Sequence, residues 1–152
     1  MKPGHIDFMK LALSQARKAG QKNEIPIGAV LIAENDVMLS AAHNRTILLK
    51  DPTAHAEILA LRTAAAKIGN YRLLNTTLYV TVEPCPMCMG AIMHARVSRI
   101  VFGTRDPKWG VAGSLYNFAQ DHRFNHHPEI IEGICQSECK KIMQEFFRQK
   151  RR

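Results

Sequence analysis

The chain has 152 residues, 46% hydrophobic and 22% charged, an ordinary balance for a soluble globular protein and enough length for one domain, 1–152, with its own core. No window approaches the roughly 18 apolar residues of a membrane span, so no membrane partner is expected. The formal net charge of +8 suggests a polyanion partner; four of those charges, Arg148, Lys150, Arg151 and Arg152, would equally complement the dipole of a last helix, and the rest of the chain keeps +4.

Met1-Lys2-Pro3-Gly4-His5 leads into an amphipathic run without a signal-peptide pattern. Together with an unpaired Cys-x-x-Cys, this points to a reducing cytoplasm. Ile6, Met9, Leu13 and Ala16 recur at helical spacing and predict a helix over 6–19, with Gly20 as its C-cap. Strands are expected over 29–33 and 37–42, joined by a turn at Glu34-Asn35-Asp36. Asp51-Pro52-Thr53 is a loop and helix-start signal; Ile58, Leu61, Ala65 and Ile68 mark the buried face of the helix that follows, and Gly69-Asn70 ends it. Then come a strand over 77–82, a helical run over 89–95, a strand over 99–102 and a polar, glycine-containing loop over 103–114. A helical turn over 115–119, a short strand over 130–132 and a last helix over 137–150 complete the chain. On that last helix Ile142, Met143, Phe146 and Phe147 are apolar, and one of the two adjacent phenylalanines is expected to pack inside. A hairpin followed by alternating helices and strands predicts an α/β fold with a mixed sheet and helices on both faces. The strand-to-helix junctions then share one sheet edge, where such folds place their sites.

The segment that carries most chemistry is Val82-Glu83-Pro84-Cys85-Pro86-Met87-Cys88. Two thiols sit where a strand ends and a helix begins, and the free N–H groups of a helix start favour thiolates. Thirty residues before Cys85, His55-Ala56-Glu57 stands at another helix start. One imidazole and two thiolates give zinc three protein ligands and an open fourth position, the catalytic rather than the structural pattern. A thioredoxin-like redox pair is the other reading of the cysteines, but it does not call for a His-x-Glu on a neighbouring helix. Glu57 alone would only stabilise its helix through the dipole; its spacing from the ligands gives it a further role. A structural zinc would need a fourth ligand. Cys135 and Cys139, with His122, His126 and His127 upstream, offer a second site, although both cysteines also flank the apolar face of the last helix, where free Cys is a small buried hydrophobe.

His55-Ala56-Glu57 with Pro84-Cys85-Pro86-Met87-Cys88 resembles the signature of the zinc nucleobase deaminases. The resemblance extends through 25–30, His43-Asn44-Arg45, Asp51 to Glu57, Asn70-Tyr71-Arg72-Leu73, Gly90-Ala91-Ile92, Ala95-Arg96, Phe102 to Lys108, Ala112-Gly113-Ser114 and Phe146-Phe147-Arg148. It covers nearly the whole chain, and Asp106-Pro107-Lys108 and the basic Phe-Phe-Arg ending are similar to the bacterial tRNA adenosine deaminases specifically. Trp109 and Cys135 depart from that pattern. The resemblance implies a cytidine deaminase-like three-layer α/β/α sandwich around a mixed sheet, with one Zn2+ per chain on His55, Cys85 and Cys88. It implies that Glu57 shuttles protons while zinc-activated water converts adenosine to inosine at the wobble position of a tRNA anticodon loop. Asn44 would bond the base or ribose, the Ala56 N–H would meet the purine, and Ile27 and the His55 ring would sandwich it. Asp106 and Lys108 would touch flanking nucleotides, Phe147 and Arg148 would approach the anticodon loop, and the enzyme would be a homodimer. A free guanine or cytosine deaminase and a non-catalytic zinc RNA-binding module are the rival readings.

Overall fold

In the computed structural model, which describes residues 2–151, the first helix, α1 (His5–Gln21), buries Phe8, Met9, Ala12, Leu13, Ala16 and Ala19 along one face. The helix does not stop at Gly20. It is capped by Lys22, and Asn23 takes the left-handed conformation (φ 61°) that ends it, with its amide bonded to the Gly20 carbonyl. Asparagine tolerates that conformation, so the glycine is free to remain helical. Gly28 does need to be glycine: a Cβ there would run into the Ala12 carbonyl and the Ala16 amide, where α1 crosses the sheet.

β1 (Gly28–Ile32) and β2 (Met38–His43) form the expected antiparallel hairpin, with Gly28 opposite His43. β1 also pairs antiparallel with β3 (Thr77–Val82), which runs parallel to β4 (Arg99–Thr104); β4 in turn runs parallel to β5 (Glu129–Glu132). The sheet order is β2-β1-β3-β4-β5, mixed as expected. Side chains alternate across it. Leu31, Leu78, Val80, Ile100 and Phe102 face α2 (Ala56–Ile68) and α3 (Pro86–His94); Val30, Ile32, Tyr79 and Val101 face α1 and Cys139 of α4 (Gln136–Lys150).

Several boundaries differ from the sequence reading for identifiable reasons. Ile68 is 47% exposed, because α2 meets the sheet through Ala56, Ala60, Leu61 and Ala64, and small residues allow the closer approach. α3 begins at Pro86 rather than Met89: proline has no N–H to satisfy and its fixed φ suits the first helical position. β4 runs on through Gly103 and Thr104 because it pairs with β3 as far as Val82. The turn expected over 115–119 is a 3-10 turn at Phe118–Gln120. On α4 only Cys139 is fully buried; Phe146 is half-buried and Phe147 exposed, so neither phenylalanine is a core residue.

Candidate active site

The C-terminal ends of β2, β3 and β4 and the start of β1 lie at one sheet edge, because β1 is antiparallel to both its neighbours. Ile27, Asn44, Glu83 to Cys85 and the loop after Thr104 therefore converge there. His55 is the N-cap of α2 and Cys85 the N-cap of α3, so both sit where backbone N–H groups are unpaired and the helix dipole is positive. The His55 Nδ1 atom is 3.4 Å from Cys88 Sγ and 3.7 Å from Cys85 Sγ. A tetrahedral zinc with Zn–S of about 2.3 Å and Zn–N of about 2.0 Å separates S and N by roughly 3.5 Å. The three donors, all within 4.8 Å of one another, fit such an ion, and theirs is the only group of its kind among the described residues. Cys135, Cys139 and the three histidines are not gathered into a second one: His126 bonds the Val97 carbonyl and His127 the Asp121 carbonyl.

The titratable groups at the site shift one another. A hydrogen bond from the Cys88 thiol, and then His55, pull Cys85 below the ordinary thiol range. Cys88 is pushed up by that same bond and by burial. His55 is raised, chiefly by its contact with Cys85. Glu57, one residue past the start of α2 and only 4% exposed, is pushed by burial up to about 7, within the range where a carboxyl group can exchange a proton near neutral pH. It is not one of the three clustered donors.

Asn44 and Ala56 are paired with each other: Asn44 Oδ1 accepts the Ala56 amide at 2.8 Å, replacing the side-chain cap that His55 does not provide. The Asn44 amide in turn donates to the Ile27 carbonyl, which fixes both residues beside the histidine. Asp106 Oδ1 accepts from the Lys108 and Trp109 amides, so it closes its own turn and leaves the Lys108 side chain exposed. Phe147 and Arg148 lie on α4, across the sheet from the histidine and cysteines.

Two buried carboxylates escaped the sequence reading. Glu24, 1% exposed, accepts the Ile47 and Leu48 amides and holds the loop that runs from Asn44 to His55. Glu83, 3% exposed, accepts the amides of Asp106, Ala112 and Ser114 and the Ser114 hydroxyl. It thereby ties the segment before Cys85 to the loop after β4. The only signal either carries in the sequence is an acidic residue beside a proline-containing turn, which is too common to single them out.

Residues 4–151 match the model of the MafB19-like deaminase family. The chain is 48% identical over 144 residues to the tRNA-specific adenosine deaminase of Haemophilus influenzae, an alignment that covers 95% of this chain and 83% of that protein. A solved structure from studies of A-to-I editing by tRNA:A34 deaminases at the wobble position of transfer RNA has a TM-score of 0.86 and 44% identity, over 89% of this chain and 97% of the other. A guanine deaminase from Nitrosomonas europaea, 22% identical with a TM-score of 0.83 over 96% of this chain and 86% of its own, shares the fold.

Proposed function

The chain belongs to the MafB19-like deaminases and, among them, to the tRNA-specific adenosine deaminases, and from that membership we propose that it converts adenosine to inosine at the wobble position of a tRNA anticodon loop. The observation that carries the chemistry is a buried carboxylate, Glu57, next to an imidazole and two sulfurs at the separations of a tetrahedral metal site. His55, Cys85 and Cys88 would hold one Zn2+. When bound, zinc supplies the Lewis acidity that makes a water molecule a competent nucleophile near neutral pH. Glu57 takes one proton from that water and delivers it to N1 of the adenine, then takes the second from the hydroxyl now on C6 and gives it to the leaving amine. Water adds at C6, the C–N bond breaks, and ammonia and inosine are the products.

Ile27, fixed against Asn44, and the His55 ring would flank the purine. Asn44 keeps its side-chain NH2 to donate to the base or ribose, with its oxygen already oriented by Ala56. Lys108, exposed on the loop after β4, would meet a flanking phosphate, with Asp106 shaping the turn that presents it; Phe147 and Arg148 would approach the anticodon loop from α4. Unstacked loop bases expose the edges that a protein can read, and the +8 charge supplies a salt-sensitive affinity. A homodimer of one-domain chains in the cytoplasm completes the reading. The exposed run Ile47, Leu48 and Leu49, held in place by Glu24, supports a second copy as its cover. No helix among the described residues is long and apolar enough to cross a membrane.

The test is incubation with an anticodon stem-loop carrying adenosine at the wobble position, followed by nucleoside analysis. Inosine is expected. Turnover of free guanine or cytosine without any inosine in the stem-loop would replace this reading with that of a free-base deaminase.

A further inference from the structure

The chain has one tryptophan, and it is 64% exposed on the loop after β4. An exposed ring on a mobile loop tends to fold back onto apolar surface, but this loop is tied down along its length. The Trp109 amide donates to Asp106 Oδ1, the Gly110 amide to the Asp106 carbonyl, and the Ala112 and Ser114 amides to the buried Glu83 carboxylate. Gly110 lies directly against that carboxylate, where any Cβ would collide with it. The backbone on both sides of Trp109 is therefore held, and its ring faces outward. Unlike Tyr116, whose ring packs on Phe118, it pairs with no other aromatic ring among the described residues.

The loop is also docked at the metal-donor cluster: the Val111 amide donates to the carbonyl of Pro84, the residue before Cys85, at 3.1 Å. Two residues of chain span at most about 7 Å, so with that hydrogen bond the Trp109 backbone lies within about 10 Å of the Pro84 carbonyl. Exposed Lys108 is its neighbour, and the nearby Arg105 is already paired with Glu132. A water-facing indole on a tied backbone, beside an exposed ammonium, is a combination that holds single-stranded nucleic acid: a ring for a base face, a cation for its phosphate.

We propose that Trp109 is a base-stacking residue that holds a nucleotide flanking the target adenosine in the substrate RNA. This rests on the RNA-substrate reading above and adds a residue to it.

Because Trp109 is the only tryptophan, its fluorescence reports the contact directly. Titration of the zinc-loaded protein with a stem-loop RNA, followed in parallel by anisotropy of the labelled RNA, should quench the emission with the same midpoint as binding. Trp109→Ala should weaken RNA binding about 10-fold, while Trp109→Phe stays within about 3-fold of the parent. In deamination assays the alanine variant should raise KM more than it lowers kcat. Saturated binding with inosine formed but no change in emission, or an alanine variant that binds like the parent, overturns this inference and leaves the deaminase reading intact. Emission that shifts with protein concentration alone makes Trp109 a contact between copies and also overturns it. Failure to bind or deaminate the RNA at all overturns both.

Discussion

The side-chain oxygen of Asn44, just past the end of β2, accepts the amide hydrogen of Ala56, the first residue of α2, at 2.8 Å. One hydrogen bond thus couples a residue expected to read the substrate to the helix start that carries His55 and Glu57. Removing it should cost the fold and the chemistry separately. Asn44→Ala leaves a buried amide without an acceptor and should destabilise by about 1–2 kcal/mol, lowering Tm by about 2–8 °C. Asn44→Asp keeps the acceptor and should recover most of the Tm but not the turnover, because it loses the donor. Thermal melts paired with stem-loop deamination separate the two effects; equal recovery of both would show that Asn44 only supports the helix.

Metal content and turnover should part company at Glu57. Glu57→Ala should retain about one zinc per chain while kcat falls by about 100-fold or more. Cys88→Ala and His55→Ala should lose the metal, and with it the stabilisation that binding gives the folded state. Elemental analysis of the purified variants decides this. Loss of zinc from Glu57→Ala would make the carboxylate part of the metal site instead.

Glu83→Ala should orphan three backbone amides and one hydroxyl in a loop anchored beside Cys85. The expected result is a loss of about 3 kcal/mol or more, with new protease cleavage between Arg105 and Ser114. KM for the RNA should rise further than kcat falls. Glu83→Gln, which keeps one acceptor oxygen, should fall between parent and alanine; a glutamine variant as severe as alanine would mean that the negative charge is the essential property.

Cys139 is fully buried against Gly103, and burial pushes its thiol up to about 12. Its folded value lies above the ordinary 9.0, so the unfolded chain loses this proton first. Cys139 therefore subtracts from stability as pH rises beyond about 9, and contributes no such slope below it. Cys139→Ala should be less stable than the parent at pH 7, with the gap narrowing toward pH 11 in melts recorded across that range. Gly103→Ala should be worse at every pH, since the added methyl also meets the Thr81 carbonyl oxygen at 2.8 Å, a backbone atom that cannot step aside.

The sequence by itself determined most of the elements and the candidate metal-donor set. Period-2 and period-3.6 patterns reflect which faces must leave water, and a histidine and two cysteines near helix starts reflect what a metal binds, so strands, helices and donor set were legible one segment at a time. Some errors were local, as where Pro86 starts α3, and others fell where packing decides. Ile68 looks like a core residue until the alanines of α2 bring that helix close to the sheet by another face, and Gly20 looks like a cap until Asn23 takes the left-handed turn.

What only the tertiary structure decided is how polar groups far apart in the chain satisfy one another. Asn44 with Ala56, Glu24 with 47–48 and Glu83 with 106–114 are hydrogen bonds across a sheet edge, and no local spacing encodes them. A buried carboxylate acquires its partners from the path of another loop. That path exists only once the strands have paired, and it is the same path that holds Trp109 out in the solvent beside the site.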